Sequence, residues 1–108
     1  MFARRVAMVL KPDSAADFTQ RLEEKVLPLL RKHKGFQDEL TCISADGTKA
    51  FGLSLWDEKE SAETYVRDTY PEVAKIVLGG VVREITDIKL HGHSVSFLIW
   101  PRKARRVM

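Results

Sequence analysis

The segment 48–56, TKAFGLSLW, restricts the fold most, because it reads as a strand with no face suited to water. Side chains alternate between the two faces of a strand. Its two faces would carry Phe51, Leu53 and Leu55, and Ala50, Gly52, Ser54 and Trp56. Segment 3–11, ARRVAMVLK, is likewise apolar in both parities over most of its length. Such strands need cover on both sides of a sheet, which predicts helices on one face and a second sheet on the other.

The second sheet is expected to come from a second copy of the chain. The 108 residues fit one domain, for which we predict residues 1–101, followed by a basic tail at 102–108. A homodimer is therefore the simplest way to cover the apolar face. Four of the 18 basic residues lie in the tail, so the rest of the chain has 14 basic residues against 15 acidic ones. The tail is read as a solvated terminus, with contact to nucleic acid or acidic lipid as the alternative.

The remaining patterns predict a ferredoxin-like α+β fold, with the order βαββαβ and an extra C-terminal strand. The predicted strands are 3–11, 36–44, 48–56, 81–90 and 94–100. A first helix runs to Leu30, with an N-terminal cap at Asp13 or Ser14, a kink or a loosened last turn at Pro28, and Gly35 as its C-terminal cap. A hairpin turn is predicted at Asp46-Gly47. Asp57 and Glu60 are expected to cap the second helix reciprocally, and Pro71 to stop it or open a further one.

The single cysteine and the short apolar runs of the sequence indicate the cellular compartment of the protein. Cys42 is the single cysteine, so a disulfide within the chain is excluded and a reducing compartment is favoured. The apolar run Val6–Leu10 is too short for a signal peptide, and no run approaches the length of a membrane span. We therefore predict a cytoplasmic protein that does not insert into membranes.

Two connected runs carry a family resemblance. Residues 53–73, LSLWDEKESAETYVRDTYPEV, preceded by 27–36, LPLLRKHKGF, resemble the antibiotic-biosynthesis-monooxygenase-like group of dimeric α+β barrel proteins. In that group a strand ends in tryptophan, as at Trp56, and a glycine-aromatic pair opens the second strand, as at Gly35-Phe36. The resemblance implies a dimeric barrel and, if the protein is catalytic, cofactor-independent oxygenation of an aromatic compound.

The haem-degrading branch of this group does not fit the residues. That branch uses a strand asparagine, a tryptophan and a helix histidine. Trp56 matches the tryptophan, but the asparagine position falls near Arg5, the chain contains no asparagine, and 58–78 contains no histidine. We therefore expect no haem, and no other cofactor.

A binding pocket is predicted between the sheet and the second helix. A cofactor-free oxygenase needs a dry pocket for an aromatic substrate and a base for its phenolic proton. The predicted substrate-binding residues are Trp56, Tyr65, Tyr70, Phe51 and Ser54, and Arg5 is a candidate for the catalytic position. The alternative reading of the tryptophan and the tyrosines is ordinary packing.

The stretch 89–97, KLHGHSVSF, places His91 and His93 on one face if it forms a strand. A tetrahedral metal site needs three or four ligands, and the pair has no third donor close in sequence, so no metal site is predicted within one chain. The pair is interpreted as a strand edge bent at Gly92, or as a general base at the mouth of the pocket, or as half of a metal site completed across a dimer interface. His91 and His93 thus join Arg5 as catalytic candidates.

Two other function classes stay open. RNA-recognition domains share the element order, and Lys49, Phe51 and Gly52 match a fragment of their motif, but the first strand has no aromatic residue for stacking on a base. Nucleic-acid binding is therefore disfavoured. A non-catalytic small-molecule-binding or structural dimer is compatible with the same residues.

Overall fold

The strands form a single sheet in the computed structural model, which describes residues 1–92 and the backbone of residues 106–107. The strands are β1 (Phe2–Leu10), β2 (Phe36–Ile43), β3 (Lys49–Trp56), β4 (Val82–His91) and β5 (Arg106–Val107). The helices are α1 (Ala15–Arg21), α2 (Leu27–Arg31), α3 (Lys59–Asp68) and α4 (Tyr70–Leu78), with a π-helical turn, Leu22–Val26, between α1 and α2. Across the sheet the order is β4-β1-β3-β2-β5.

This strand order confirms the predicted ferredoxin-like α+β fold. β1 pairs antiparallel with both β3 and β4, and β2 pairs antiparallel with β3. β5 pairs in parallel with β2, with Leu40 opposite Arg106. The predicted strand 94–100 lies outside the described residues, as does most of the tail 102–108. No helix in the described part of the chain combines the length and apolar character needed to cross a bilayer.

Alternation along β1 and β3 divides their side chains between two environments. The side chains that join the hydrophobic core beneath the helices include Met8, Leu10, Ala50 and Trp56. Those of opposite parity border a concavity of about 550 Å³ on the other face, here called the sheet groove: Arg5, Ala7, Val9 and Phe51. Each central strand therefore serves both faces of the sheet.

The π-helical turn follows from the spacing of the buried residues. Phe18, Leu22, Val26 and Leu30 are all buried and follow one another at intervals of four. Because an α-helical turn takes 3.6 residues, each interval of four drifts by about 40° around the helix. A π-helical turn takes more residues and compensates for the drift. The helix is interrupted directly before Pro28 by this π-helical turn, and Pro28 itself lies in the first turn of α2, where its missing N–H is tolerated.

One helix boundary matches the prediction and two caps do not. Pro71 lies in the first turn of α4, as predicted. The glycine end predicted at Gly35 is wrong, because α2 ends at Arg31 with Lys32 as its C-cap, and Gly35, with φ +89°, lies in the turn that leads into β2. Ser14 occupies the N-cap position of α1, but its hydroxyl makes no capping bond and instead donates to the Pro12 carbonyl at 3.3 Å. The predicted side-chain cap at Asp13 or Ser14 is therefore wrong.

The reciprocal cap predicted for Asp57 and Glu60 is also wrong. The N-cap residue of α3 is Glu58, so Asp57 precedes the cap and Glu60 is one residue too early in the helix to reach back. Asp57 Oδ1 instead accepts hydrogen bonds from the Glu58 N–H at 2.7 Å and the Ser61 hydroxyl at 2.6 Å. The carboxylate ties the loop to the helix without acting as its cap.

The β2–β3 hairpin is confirmed, and Asp46 organises its turn. Asp46 Oδ1 accepts hydrogen bonds from the hydroxyls of Ser44 and Thr48, each at 2.7 Å, and from the Thr48 N–H at 3.0 Å. These bonds, that of the Thr48 side chain foremost, lower the pKa of Asp46 from 3.8 to about 2. The folded turn therefore stabilises the ionised form of the Asp46 carboxylate.

Asp46→Ala is expected to destabilise the protein in a pH-dependent way. Because folding lowers the pKa of Asp46, its contribution to stability is present above pH 3.8 and is lost as the pH falls towards about 2. The difference in urea midpoint between wild type and Asp46→Ala should therefore be largest near neutral pH and shrink across that interval. A difference that does not change with pH would contradict this account.

Candidate functional site

A largely apolar cavity of about 70 Å³ lies between the helix side of the sheet and the helices. The first helical region contributes Phe18, Leu22, Val26 and Leu30 to its wall, and α4 contributes Val73 and Val77. The floor comes from β1, β2 and β3, where Gly52 leaves space that a larger side chain would fill. The cavity thus occupies the position predicted between sheet and helices, with α4 as well as α3 on its border.

Six polar side chains interrupt the apolar lining: Arg4, Glu39, Thr41, Ser54, Tyr65 and Tyr70. All except Tyr70 belong to buried residues. Two carry a formal charge when ionised, one basic and one acidic. The cavity therefore combines an apolar wall with a few polar groups, which is the usual make-up of a small-molecule site.

Arg4 is the unusual member of this set. It is 4% exposed, and its guanidinium carbon lies 4.0 Å from the centroid of the Tyr70 ring and 5.9 Å from that of Tyr65. Stacking of a guanidinium on an aromatic face is attractive, because the ring presents negative charge to the cation. The two tyrosines thus hold a cation at the wall of an apolar cavity.

The tyrosines differ in their hydroxyl groups. Burial raises the pKa of Tyr65, and the nearby Arg4 offsets this only in part, so the Tyr65 hydroxyl stays protonated. The Tyr70 hydroxyl oxygen is buried and has no hydrogen-bond partner among the residues that the structure describes. A buried hydroxyl without a partner is costly unless something else completes its hydrogen bond.

Glu39 and Thr41 form the acidic side of the cavity. The Thr41 hydroxyl donates a hydrogen bond to Glu39 Oε1. Both side chains project from β2 to the helix side of the sheet, opposite Ser54 and Gly52 in the register of β3. The site therefore contains a carboxylate that can accept a proton, on β2, which β3 separates from the strand of Arg4.

Trp56 supports the cavity from behind and does not line it. Its ring centroid is 5.1 Å from that of Tyr65 and 5.5 Å from that of Phe36. Its indole N–H donates to the Ser54 hydroxyl at 2.9 Å. His33 packs edge-on against the Tyr65 ring at 5.4 Å. These contacts hold Tyr65 in place.

The structure brings some of the predicted site residues together and separates others. Ser54, Tyr65 and Tyr70 border the cavity. Arg5 and Phe51 lie on the opposite face of the sheet, where the Arg5 guanidinium carbon is 4.8 Å from the Phe51 ring centroid. The cavity and the sheet groove are therefore separate places.

His91 does not line the cavity. His91 ends β4 opposite Ala3, a position of the same parity as Arg5 and hence on the face of the sheet groove. His93 lies outside the described residues. Within residues 1–92 and 106–107, no group of three or more histidine, cysteine or acidic side chains is placed to hold a metal ion.

Arg4, Glu39 and Thr41 were not predicted from the sequence. The alternation of side chains along the strand could have identified Arg4. Arg4 lies on the same face of the strand as Met8 and Leu10, whereas Arg5 lies on the other face. A shift of one residue along a strand moves a side chain to the other face of the sheet. For Glu39 and Thr41 the parity of β2 is offset by an irregularity in its pairing between Phe36 and Asp38.

Comparison with solved structures finds the same fold at low sequence identity. A monooxygenase, ActVA-Orf6 of Streptomyces coelicolor, solved with the ligand nanaomycin D, has a TM-score of 0.72 at 15% identity, over 90% of this chain and 90% of its own. NE2512, a protein of unknown function from Nitrosomonas europaea, has a TM-score of 0.71 at 12% identity, over 90% of this chain and 92% of its own.

A protein from Bordetella bronchiseptica, provisionally named an antibiotic biosynthesis monooxygenase, has a TM-score of 0.69 at 13% identity, over 83% of this chain and 93% of its own. No protein-family model matches the sequence, and no curated protein is significantly similar to it. The likeness to these structures confirms the fold that the resemblance in 27–36 and 53–73 predicted.

Proposed function

We propose that the protein binds a small quinol in the cavity and, without a cofactor, attaches one oxygen atom of O2 to a carbon of its ring. The observation that carries the proposal is the apolar cavity with a buried guanidinium stacked on a tyrosine at its wall. Its volume of about 70 Å³ is smaller than the cavity of about 150 Å³ that accommodates benzene, so a single ring enters only with outward movement of the lining side chains, and larger ligands are disfavoured. The occurrence of a monooxygenase among the structures with this fold supports the reaction class.

With hydroquinone as substrate, the reaction gives hydroxybenzoquinone and water. The quinol phenolate gives one electron to O2, and the resulting semiquinone and superoxide combine at a ring carbon to form a hydroperoxide. Loss of water from the hydroperoxide leaves one oxygen atom on the ring. The quinol supplies all four electrons that reduce O2, so no external reductant is needed.

Three side chains have separate roles in this proposal. Arg4 stabilises the phenolate, because a preorganised cation in a dry site favours the anion. Glu39 accepts the phenolic proton, since it is the carboxylate that lines the cavity. Tyr65 stays protonated because burial raises its pKa, and it is therefore a hydrogen-bond donor and not a base.

The test is oxygen incorporation from ¹⁸O2 into hydroquinone, with prompt quenching and mass spectrometry. Wild type should form hydroxybenzoquinone with one labelled oxygen faster than buffer does. Glu39→Gln should reduce the rate by about 10²-fold or more, and Arg31→Met, a change at an exposed residue of α2, should leave it unchanged. Unlabelled product, or no rate above buffer, would contradict oxygenation. Hydroquinone that binds without turnover would indicate a binding protein instead.

We also propose that the active form is a homodimer joined through the sheet groove. The groove has apolar side chains from both central strands, including Val9 and Phe51, and single copies of such faces are rarely left open to water. Sedimentation equilibrium of the full chain tests this, and a monomer at micromolar concentration would contradict it. The cytoplasm is the proposed compartment, on the basis of the single cysteine.

A further inference from the structure

The Tyr70 hydroxyl is a buried polar group that has no role in holding the fold together. Its oxygen is shielded from water, and no group in the described part of the chain forms a hydrogen bond with it. The residue as a whole is partly exposed, so its exposed part is not the hydroxyl, and the hydroxyl end of the side chain is directed inward. Tyr70 borders the cavity, which is therefore the space beside this hydroxyl in which a ligand can bind.

The ring of Tyr70 is held in place without help from its hydroxyl. The Arg4 guanidinium covers the ring, with its carbon 4.0 Å from the ring centroid, and the Tyr65 ring packs edge-on at a centroid distance of 6.2 Å. The preceding residue, Thr69, is fixed by a hydrogen bond of 2.6 Å between its hydroxyl and the His33 ring. These contacts would hold a phenylalanine ring in the same way, so they position the hydroxyl without using it.

A buried hydroxyl without a hydrogen bond destabilises a protein, because it has lost its bonds to water and gained none in exchange. Such groups are rare in folded proteins, and each one needs an explanation. Phenylalanine would fill the same space without this cost. A tyrosine at position 70 therefore indicates a partner for the hydroxyl beyond the described residues, and its location at the cavity wall indicates a bound ligand.

Two other hydroxyls that line the cavity already have partners within the fold. The Ser54 hydroxyl accepts a hydrogen bond from the Trp56 indole N–H at 2.9 Å and donates one to a backbone carbonyl of β1 at 3.5 Å. The Thr41 hydroxyl donates to Glu39 Oε1. Tyr70 differs from both, because its hydroxyl keeps the capacity to donate and to accept.

We infer that the Tyr70 hydroxyl donates a hydrogen bond to an oxygen atom on the ring of the ligand, and so selects oxygen-bearing rings over hydrocarbon rings of the same shape. The inference rests on the proposed function for the presence of a ring, and it adds the residue that recognises the oxygen substituent. An apolar wall distinguishes such rings only weakly. A site that hydrogen-bonds an oxygen rejects an analogue that lacks it, because the polar group of the site then stays unpaired.

The test compares phenol with toluene, which have nearly the same size and differ by a hydroxyl in place of a methyl group. Both are titrated by calorimetry into the full-length protein under nitrogen, so that no oxygenation occurs. The ratio of the dissociation constants, toluene over phenol, should be about fivefold larger for wild type than for Tyr70→Phe. The variant should weaken the binding of phenol and not that of toluene, because toluene forms no hydrogen bond with the hydroxyl.

Thermal unfolding of the ligand-free protein separates a ligand-binding hydroxyl from a structural one. Tyr70→Phe should not lower the midpoint, because the substitution removes a buried hydroxyl that no hydrogen bond satisfies. A lower midpoint would show that the hydroxyl has a partner within the protein or in a second copy of it, and would overturn the inference. Arg31→Met, a change at an exposed residue of α2, should alter neither the midpoint nor the ratio of the dissociation constants.

Two results distinguish this inference from the proposed function. If wild type and Tyr70→Phe bind phenol and toluene with the same ratio of dissociation constants, the role of Tyr70 is overturned and the cavity remains a site for an aromatic ring. If neither compound binds to wild type, the role of Tyr70 and the proposed binding of an aromatic ring both fail.

Discussion

Gly35→Ala is expected to lower the free energy of unfolding by roughly 3 kcal/mol or more, because it adds backbone strain to a steric overlap. Gly35 has φ +89°, and a Cβ there would overlap Asp57 Oδ1 and the Ser61 side chain. The backbone cannot easily retreat, because the Gly35 carbonyl accepts a hydrogen bond from the Asp57 N–H at 2.8 Å. Urea unfolding of the variant at neutral pH measures the loss.

Gly47→Ala is the matched control for this position. Gly47 also has positive φ, +74°, but a Cβ there would meet only Ala15 Cβ at 3.7 Å, an ordinary contact. Its cost should be the backbone strain alone, roughly 1–2 kcal/mol. If the two variants lose equal stability, the overlap with Asp57 and Ser61 is not the cause of the effect at Gly35.

Trp56→Ala is expected to cost about 3–5 kcal/mol, the range typical of removing a large buried aromatic side chain. Trp56 is fully buried and packs against the rings of Phe36 and Tyr65, with centroids at 5.5 and 5.1 Å. The substitution leaves a void behind Tyr65, so binding of hydroquinone should weaken as well. Thermal unfolding and a binding titration measure the two effects.

Trp56→Phe separates the packing from the hydrogen bond. The variant keeps an aromatic ring but removes the indole N–H that donates to the Ser54 hydroxyl at 2.9 Å. The loss should be clearly smaller than for alanine, because most of the buried apolar area remains and the Ser54 hydroxyl keeps its own acceptor, the Arg4 carbonyl at 3.5 Å. Equal losses from phenylalanine and alanine would show that the hydrogen bond, and not the packing, dominates.

The fold was predictable because its signals are local and repeated. Apolar residues of both parities in 3–11 and 48–56, the turn at Asp46-Gly47 and the proline at Pro71 each fix an element without reference to the rest of the chain. The helix caps were not predictable to the same degree. Asp57 and Glu60 have the spacing of a capping box, but the helix begins at Lys59, and a one-residue difference in its start changes which groups can meet.

The position of the cavity could be predicted from the sequence, but the charged residues that line it could not. Tyr65, Tyr70 and Ser54 were expected near the pocket because they are aromatic or small, whereas Arg4 was overlooked in favour of Arg5. A buried arginine contradicts the usual preference of charged side chains for the surface. Sequence rules therefore assign such a residue to solvent, and they fail at a cavity whose lining departs from the rule.

The π-helical turn has a consequence for alignment. The π-helical turn Leu22–Val26 contains more residues per turn than an α-helix. Removal of one exposed residue, such as Glu24, is therefore expected to convert the region to a continuous α-helix. The residues on either side of the deletion then keep their faces. Related chains with a straight helix are therefore expected to align with a one-residue gap between 22 and 26. Aligned without that gap, their buried positions from Val26 to Leu30 would be matched to the wrong residues.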